Sequence, residues 1–268
     1  MNNITKNILA SNQWLKENRP TAKIITLDQV IKRLKKGHFL GTENSKTKKG
    51  NKDGFYTGIL YLAPHKITGF NFCAMAINCI KDCLFNSGRG KFATVTIARI
   101  IKTLAFLLDR TEFIKHIEKD ILRLKNKAIK NNYALAIRLN GTSDINISKY
   151  FGHIIDDHKD VYFYDYTKIL HFALNNKHDN YHITFSYDGL NIANTKKALE
   201  HGINASVVFK DKLPATFLGY NVIDGDENDL RFLDKKGIII GLKYKGSTKN
   251  IHDDTFVVDL EKTNLPYN

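Results

Sequence analysis

The sequence predicts an α/β fold: a full or partial (β/α) barrel with largely parallel strands, preceded by an N-terminal helical and loop extension. Three observations carry this expectation. From Tyr133 onward, short and nearly continuous apolar runs recur, each ending in polar residues, as strands buried on both faces do. Segments with apolar residues at three- and four-residue steps alternate with them, as helices covering a parallel sheet do. The chain has 268 residues, 43% hydrophobic and 25% charged, which suits a large folded core and excludes a disordered chain. An open doubly wound sheet is the alternative arrangement of the same elements. The expected division is residues 1–60 as the extension with a basic loop, and 61–268 as the barrel-like domain.

Taken in order, residues 26–36 form a short amphipathic helix, with Thr26 as N-cap and Val30, Ile31 and Leu34 on one face. Residues 41–54 are polar and bounded by glycine, hence a loop. FYTGILYL (55–62) is β-prone, and the cysteines follow at 73–83. Residues 94–108 read as a helix through Ile97, Ile101, Leu104 and Leu108. Residues 110–130 read as a longer one through Phe113, Ile117, Ile121, Leu124 and Ala128. Asp109 with Glu112 has capping-box spacing, and Asn131-Asn132 is the stop. The strand runs are 133–144, 161–168, 181–189, 204–210 and 237–246, with a helix at 189–202 ending on Gly202.

Composition excludes several classes. Three cysteines cannot make a secreted disulfide framework. No signal-peptide core precedes Lys16 and Glu17, and no window reaches the ~18–20 apolar residues of a spanning helix. The expectation is a cytoplasmic protein without a membrane partner, whose thiols stay reduced and available to metal.

The chain carries 41 Lys and Arg against 27 Asp and Glu, a formal charge of +14. Half of that excess, +7, falls in residues 31–52. The segment is either a solvated helix end and loop or a contact for a polyanion. Clustered lysines bind nucleic acid by releasing its counterions, which makes Lys46, Lys48, Lys49 and Lys52 candidate nucleic-acid contacts.

Ligands of such folds sit at the carboxyl ends of the strands. Those ends here carry Asn140, Gly141, Ser143 and Asp144, then Tyr166 and Lys168, then Ser186. Strand alternation places Tyr164, Tyr166 and Lys168 on one face and Asp165 on the other. Tyr166, Lys168 and Asp144 are the candidate catalytic side chains. There is no Walker phosphate loop, no G-x-G-x-x-G after a strand and no H-E-x-x-H. The acidic run 224–229 lacks the sixth-position glycine and twelfth-position glutamate of a calcium loop.

All three cysteines fall within 11 residues, as Cys73-x5-Cys79-x3-Cys83. Three buried core thiols are one reading. Structural zinc wants four ligands, so His65 would have to be recruited. Iron–sulfur clusters take thiolates, and three thiols on a four-iron cluster leave one iron open for a small ligand. If Ile80–Leu84 is helical, Cys79 and Cys83 share a face.

GFNFCAMAINCIKDCLFNSGRG (69–90) resembles the cysteine segment of the gene product 88 family of bacteriophages and plasmids. The resemblance continues through 98–114, RLNGTSDI (138–145), VYFYDYTK (161–168), ITFSYDG (183–189), 219–234 and GLKYKG (241–246). LGTENSKTKKG (40–50) is similar to that family's upstream segment. Nearly the whole chain is covered, and a phage-encoded member would work in the host cytoplasm. A cysteine triplet near the start of a β/α barrel also resembles the radical S-adenosylmethionine (SAM) enzymes. The spacing differs from their usual C-x3-C-x2-C, and no Gly-Gly-Glu motif is present. That second resemblance implies a [4Fe-4S] cluster on Cys73, Cys79 and Cys83. It further implies SAM beside it, with Asn140, Gly141, Ser143, Ser186 and Arg89 as candidate cofactor contacts.

Two main functions follow as expectations. One is a radical-SAM-like enzyme acting on a nucleic acid or nucleotide. The other is a non-catalytic nucleic-acid-binding protein with a structural or redox-sensing metal centre. A third is an enzyme without metal, whose cysteines are core.

Overall fold

The computed structural model describes residues 3–42, 50–246, 251 and 255–268. Within them the chain forms one mixed α/β unit around a mostly parallel sheet. The strands are β1 (Leu40–Gly41), β2 (Phe55–Leu60), β3 (Ala134–Arg138), β4 (Tyr162–Thr167), β5 (Tyr181–Ser186), β6 (Ala205–Phe209), β7 (Thr216–Phe217), β8 (Tyr220–Asp224), β9 (Ile239–Lys243) and β10 (Val257–Val258). Their order is β1-β2-β3-β4-β5-β6-β9-β8-β7, with β10 on the far end of β6. All pairings are parallel except β1–β2 and β7–β8 at the two edges.

From β2 to β6 neighbours in the chain are neighbours in the sheet, as in a barrel, with none of the order reversal of a doubly wound sheet. The sheet nevertheless stays open, so the expectation of a full barrel is not met: the edge strands β1 and β7 do not pair with each other. The physical reason lies in the segment between β8 and β9. Leu230 and Phe232 cover the inner face, where Leu230 packs with Ala136 and Tyr164. Phe232 meets Tyr162 at 4.8 Å and Phe55 at 5.0 Å between ring centres. Ala136 and Tyr164 beneath this segment, and Leu230 within it, are buried without closing strands.

The outer face carries the helices: α1 (Asn3–Asn18), α2 (Leu27–Lys36), α3 (Ala93–Leu108), α4 (Arg110–Lys130), α5 (Ile147–Asp157), α6 (Leu170–Leu174) and α7 (Ile192–Glu200). Thr26 caps α2 in a full capping box with Gln29, and the Asp109 carboxylate accepts from Glu112 N–H at the start of α4. The main core joins Ile4, Val30, Ile100, Phe113 and Ile121 to Leu135, Ile137 and Phe163. Each fully buried side chain of this kind contributes about 1.5–3 kcal/mol. A smaller core under the far strands holds Val207, Phe209 and Phe217. Strand β2, the last of residues 1–60, lies inside the sheet between β1 and β3.

Three features differ from the sequence expectation. The run 133–144 is strand only to Arg138 and then turns. Helix α5, to which no element was assigned, buries Ile147, Phe151, Ile154 and Ile155. The cysteine segment holds only short 3-10 turns at Asn78–Ile80 and Leu84–Asn86, not a helix. Tertiary partners take its hydrogen bonds: the Asn78 amide donates to Asp188 O at 3.2 Å and to Thr255 Oγ1 at 3.0 Å.

Candidate functional site

The 69–92 segment leaves the end of β2 and lies across the carboxyl ends of the parallel strands. Three ties hold it there. Cys73 pairs with Asp144 in an isolated parallel bridge, and Asp144 N–H donates to Phe72 O at 2.8 Å. The Asn78 side chain reaches the end of β5 as above. Tyr244, just past β9, donates its hydroxyl to Asp82 at 2.6 Å. Between this roof and the strand ends lies a cavity of about 750 Å³.

Cys73, Cys79 and Cys83 all line that one cavity, and His65 lines it with them. They do not point into separate apolar pockets. Burial pushes the Cys73 thiol up to about 12 and raises that of Cys83 as well. Among the described residues, no three Cys, His, Asp or Glu side chains converge tightly enough to hold a single metal ion. A four-iron cluster makes a different demand, because each thiolate bonds a different corner iron and the sulfurs stand correspondingly apart. Three thiols of one loop beside open space match that donor set in kind and number. His65 sits at φ +36°, a strained conformation for a non-glycine residue.

The strand ends supply the floor. Asn140 and Ser143 build the turn after β3: Ser143 Oγ donates to Asn140 Oδ1 at 2.8 Å, and the Asn140 amide donates to Ile145 O at 2.9 Å. Gly141 is required by packing, since a Cβ there would meet Leu60 O at 2.7 Å. The Asp144 carboxylate accepts from Thr167 Oγ1 at 2.7 Å and Lys168 N–H at 2.9 Å, while burial raises its pKa. Ser186 takes a 3.4 Å hydrogen bond from Ser206.

Alternation along β4 works as the sequence implies. Tyr166 and Lys168 line the cavity. Asp165 turns to the other face, where its carboxylate accepts from Asn140 N–H at 2.6 Å and Tyr181 Oη at 3.3 Å. Tyr166 donates to Asp229 at 3.2 Å and lies under the Arg138 guanidinium, 4.5 Å from the ring centre. Arg138 pairs with Asp229 at 2.9 Å, and its Nε has no hydrogen-bond partner. Burial works against the charge of Lys168, but Cys79, Asp144 and Asp188 together outweigh it and raise its pKa.

The structure therefore brings together Cys73, Cys79, Cys83, Asn140, Gly141, Ser143, Asp144, Tyr166, Lys168 and Ser186 around one space. Arg89 is exposed on the turn Gly88–Lys91 and does not line it; Lys91 does. Lys52 is exposed, and Lys46, Lys48 and Lys49 lie outside the described residues. Sequence reasoning missed Arg138 and Asp229. The signal for Arg138 is a cation closing the otherwise apolar strand ALAIR; Asp229 has no local signal, because its partner is 91 residues away.

No helix among the described residues is long and apolar enough to cross a membrane. No curated protein and no solved structure matches the chain. A family profile described as gene product 88 matches residues 32–260, the span that holds the parallel strands, the cysteine segment and every residue of the cavity floor named above. The chain belongs to the gene product 88 family.

Proposed function

We propose that this protein is an iron–sulfur enzyme of radical-SAM-like type acting on a nucleic acid or nucleotide. The observation that carries the reading is the placement of all three cysteines on one cavity at the carboxyl ends of parallel strands. Cys73, Cys79 and Cys83 would hold the cluster. When bound, a three-thiolate [4Fe-4S] cluster with SAM supplies one-electron cleavage chemistry. The chain's own residues bind and orient. The Asn140–Asp144 turn and Ser186 present polar groups to a cofactor, and Tyr166 and Lys168 face the substrate space. Lys46, Lys48, Lys49 and Lys52 would provide a cationic contact for a polyanion outside the cavity, since Lys52 precedes the amino end of β2.

The test is anaerobic reconstitution with iron and sulfide. About four of each per chain, broad absorption near ~400 nm and saturable SAM binding are expected. Iron-free protein after reconstitution would defeat the reading. Replacing the four lysines by Ser is expected to flatten the salt dependence of nucleic-acid binding by up to ~4 phosphate contacts.

A second reading is a non-catalytic nucleic-acid-binding protein with a structural or redox-sensing metal centre. His65 lines the same cavity as the three cysteines, and a zinc site on these four would require them to draw closer together than they stand. Stoichiometric zinc in place of iron, without SAM binding, distinguishes it.

A further inference from the structure

The cavity has an imbalance of charge that its thiols do not explain. Three carboxylates line it, and each is engaged. Asp82 accepts from Tyr244 and Asp144 from Thr167. Asp226 pairs with Lys245 at 2.7 Å and accepts from Lys243 N–H. Among the lining cations, the side-chain ammonium groups of Lys81, Lys91 and Lys168 make neither ion pair nor hydrogen bond within the described residues. Lys168 is the deepest placed of these. It follows directly on β4 beside Thr167, and its Nζ lies over the face of Phe256, 5.7 Å from the ring centre. The charges of Asp144 and Asp188 favour this ammonium from a distance, but no carboxylate is in ion-pair contact with it among the described residues. An ammonium so held in a partly buried cavity attracts an anionic group of the ligand.

The remaining walls say what the anion is attached to. Tyr187, Tyr244, Phe256, Leu242 and Val208 form a largely apolar, aromatic side, suited to the flat face of a heterocycle. The volume of about 750 Å³ takes a drug-sized ligand but not a duplex.

We infer that Lys168 seats the phosphate of a nucleoside phosphate whose base packs against the Tyr187–Phe256 wall. This rests on the reading of the cavity as a substrate site and names which part of a nucleic acid enters it: one nucleotide. Lys81 and Lys91 at the mouth suit the flanking phosphates when that nucleotide belongs to a strand.

The test is calorimetric binding to the full chain as isolated, with iron, zinc and sulfide assayed on the same sample. The ligands are the four nucleoside 5′-monophosphates, the matching nucleosides, inorganic phosphate, a 5′-phosphorylated single-stranded hexanucleotide and the same sequence as a duplex. At least one monophosphate or the single strand is expected to bind about tenfold or more tightly than the nucleosides and the duplex. Lys168→Met should weaken that binding about tenfold to a hundredfold, Lys168→Arg should restore part of it, and Lys130→Met at the end of α4 should leave it unchanged. A single strand that binds more tightly than the free nucleotide, with the same Lys168→Met loss, assigns the source to a strand. The inference is overturned if nucleosides bind as well as monophosphates, if Lys168→Met binds like the parent, or if none of the ligands binds. Metal content is read separately, so failure here is distinct from failure of the cluster reading. The comparison of nucleoside with monophosphate on the unaltered protein holds even if a Lys168 variant does not fold.

Discussion

Cys73 and Asp144 stand side by side in a single parallel bridge, 71 residues apart in sequence. The first cysteine of the roof is thereby tied to the last residue of the Asn140–Asp144 turn in the floor. That turn is in turn fixed to β4 through Thr167 and Lys168 N–H. Thiol, turn and strand end are thus joined by one continuous run of hydrogen bonds.

The floor turn depends on Gly141. A Cβ there would lie 2.7 Å from Leu60 O and 2.7 Å from Ile59 Cγ2, and a backbone oxygen cannot step aside. Gly141→Ala is expected to cost about 1–3 kcal/mol, as overpacked sites do. It should also weaken ligand binding, measured by urea unfolding and calorimetry together.

Arg138 and Asp229 form a buried ion pair with Tyr166 attached. Asp229→Asn leaves the guanidinium with only the longer Asp165 contact at 3.9 Å and should destabilise by up to about 3–5 kcal/mol. The double change Arg138→Met with Asp229→Leu should cost less than the single one. A double variant less stable than Asp229→Asn would show that the pair is worth more than its desolvation.

The roof is latched at Tyr244 to Asp82. Tyr244→Phe removes one charge-assisted hydrogen bond, a loss of about 1–3 kcal/mol. Hydrogen exchange should quicken over residues 74–92 while the amides of β3 and β4 stay protected. Uniform loss of protection would mean the latch supports the whole fold.

Lys102 on α3 is half-buried, with Nζ donating to Phe39 O at 3.3 Å. Burial, with Arg33 and Arg99 nearby and Asp120 opposing, lowers its pKa to about 8. An unfolded lysine titrates near ~10.4, so between the two values the unfolded chain binds more protons and stability rises with pH. At neutral pH the buried charge costs on the order of 3 kcal/mol. Lys102→Met should be more stable than the parent at pH 7, and the gap should narrow by pH 10. A gap independent of pH would refute the shift.

Local pattern settled much of this protein. Thr26 and Asp109 announced their helices because capping is decided within three residues. The alternation in VYFYDYTK put Tyr166 and Lys168 on one face and Asp165 on the other because a strand has a two-residue period. The cysteine triplet was legible as a unit from spacing alone, and the strand ends were legible as the place where a cavity opens. The spacing of Ile147, Phe151, Ile154 and Ile155 is helical, but no helix was expected there because the segment adjoins the tail of a strand run.

Tertiary structure decided the rest. Whether the sheet closes depends on Phe232 reaching Tyr162 and Phe55 across the inner face, a contact between segments far apart in sequence. The cysteine segment is not helical because its polar groups bond to Asp188, Thr255 and Tyr244, which no window around Cys79 contains. Arg138 is a floor residue only because Asp229 returns to it from β8's far side. Capping and periodicity act over a few residues, whereas closure, burial of charge and the shape of a cavity are set by which distant segments the core brings together.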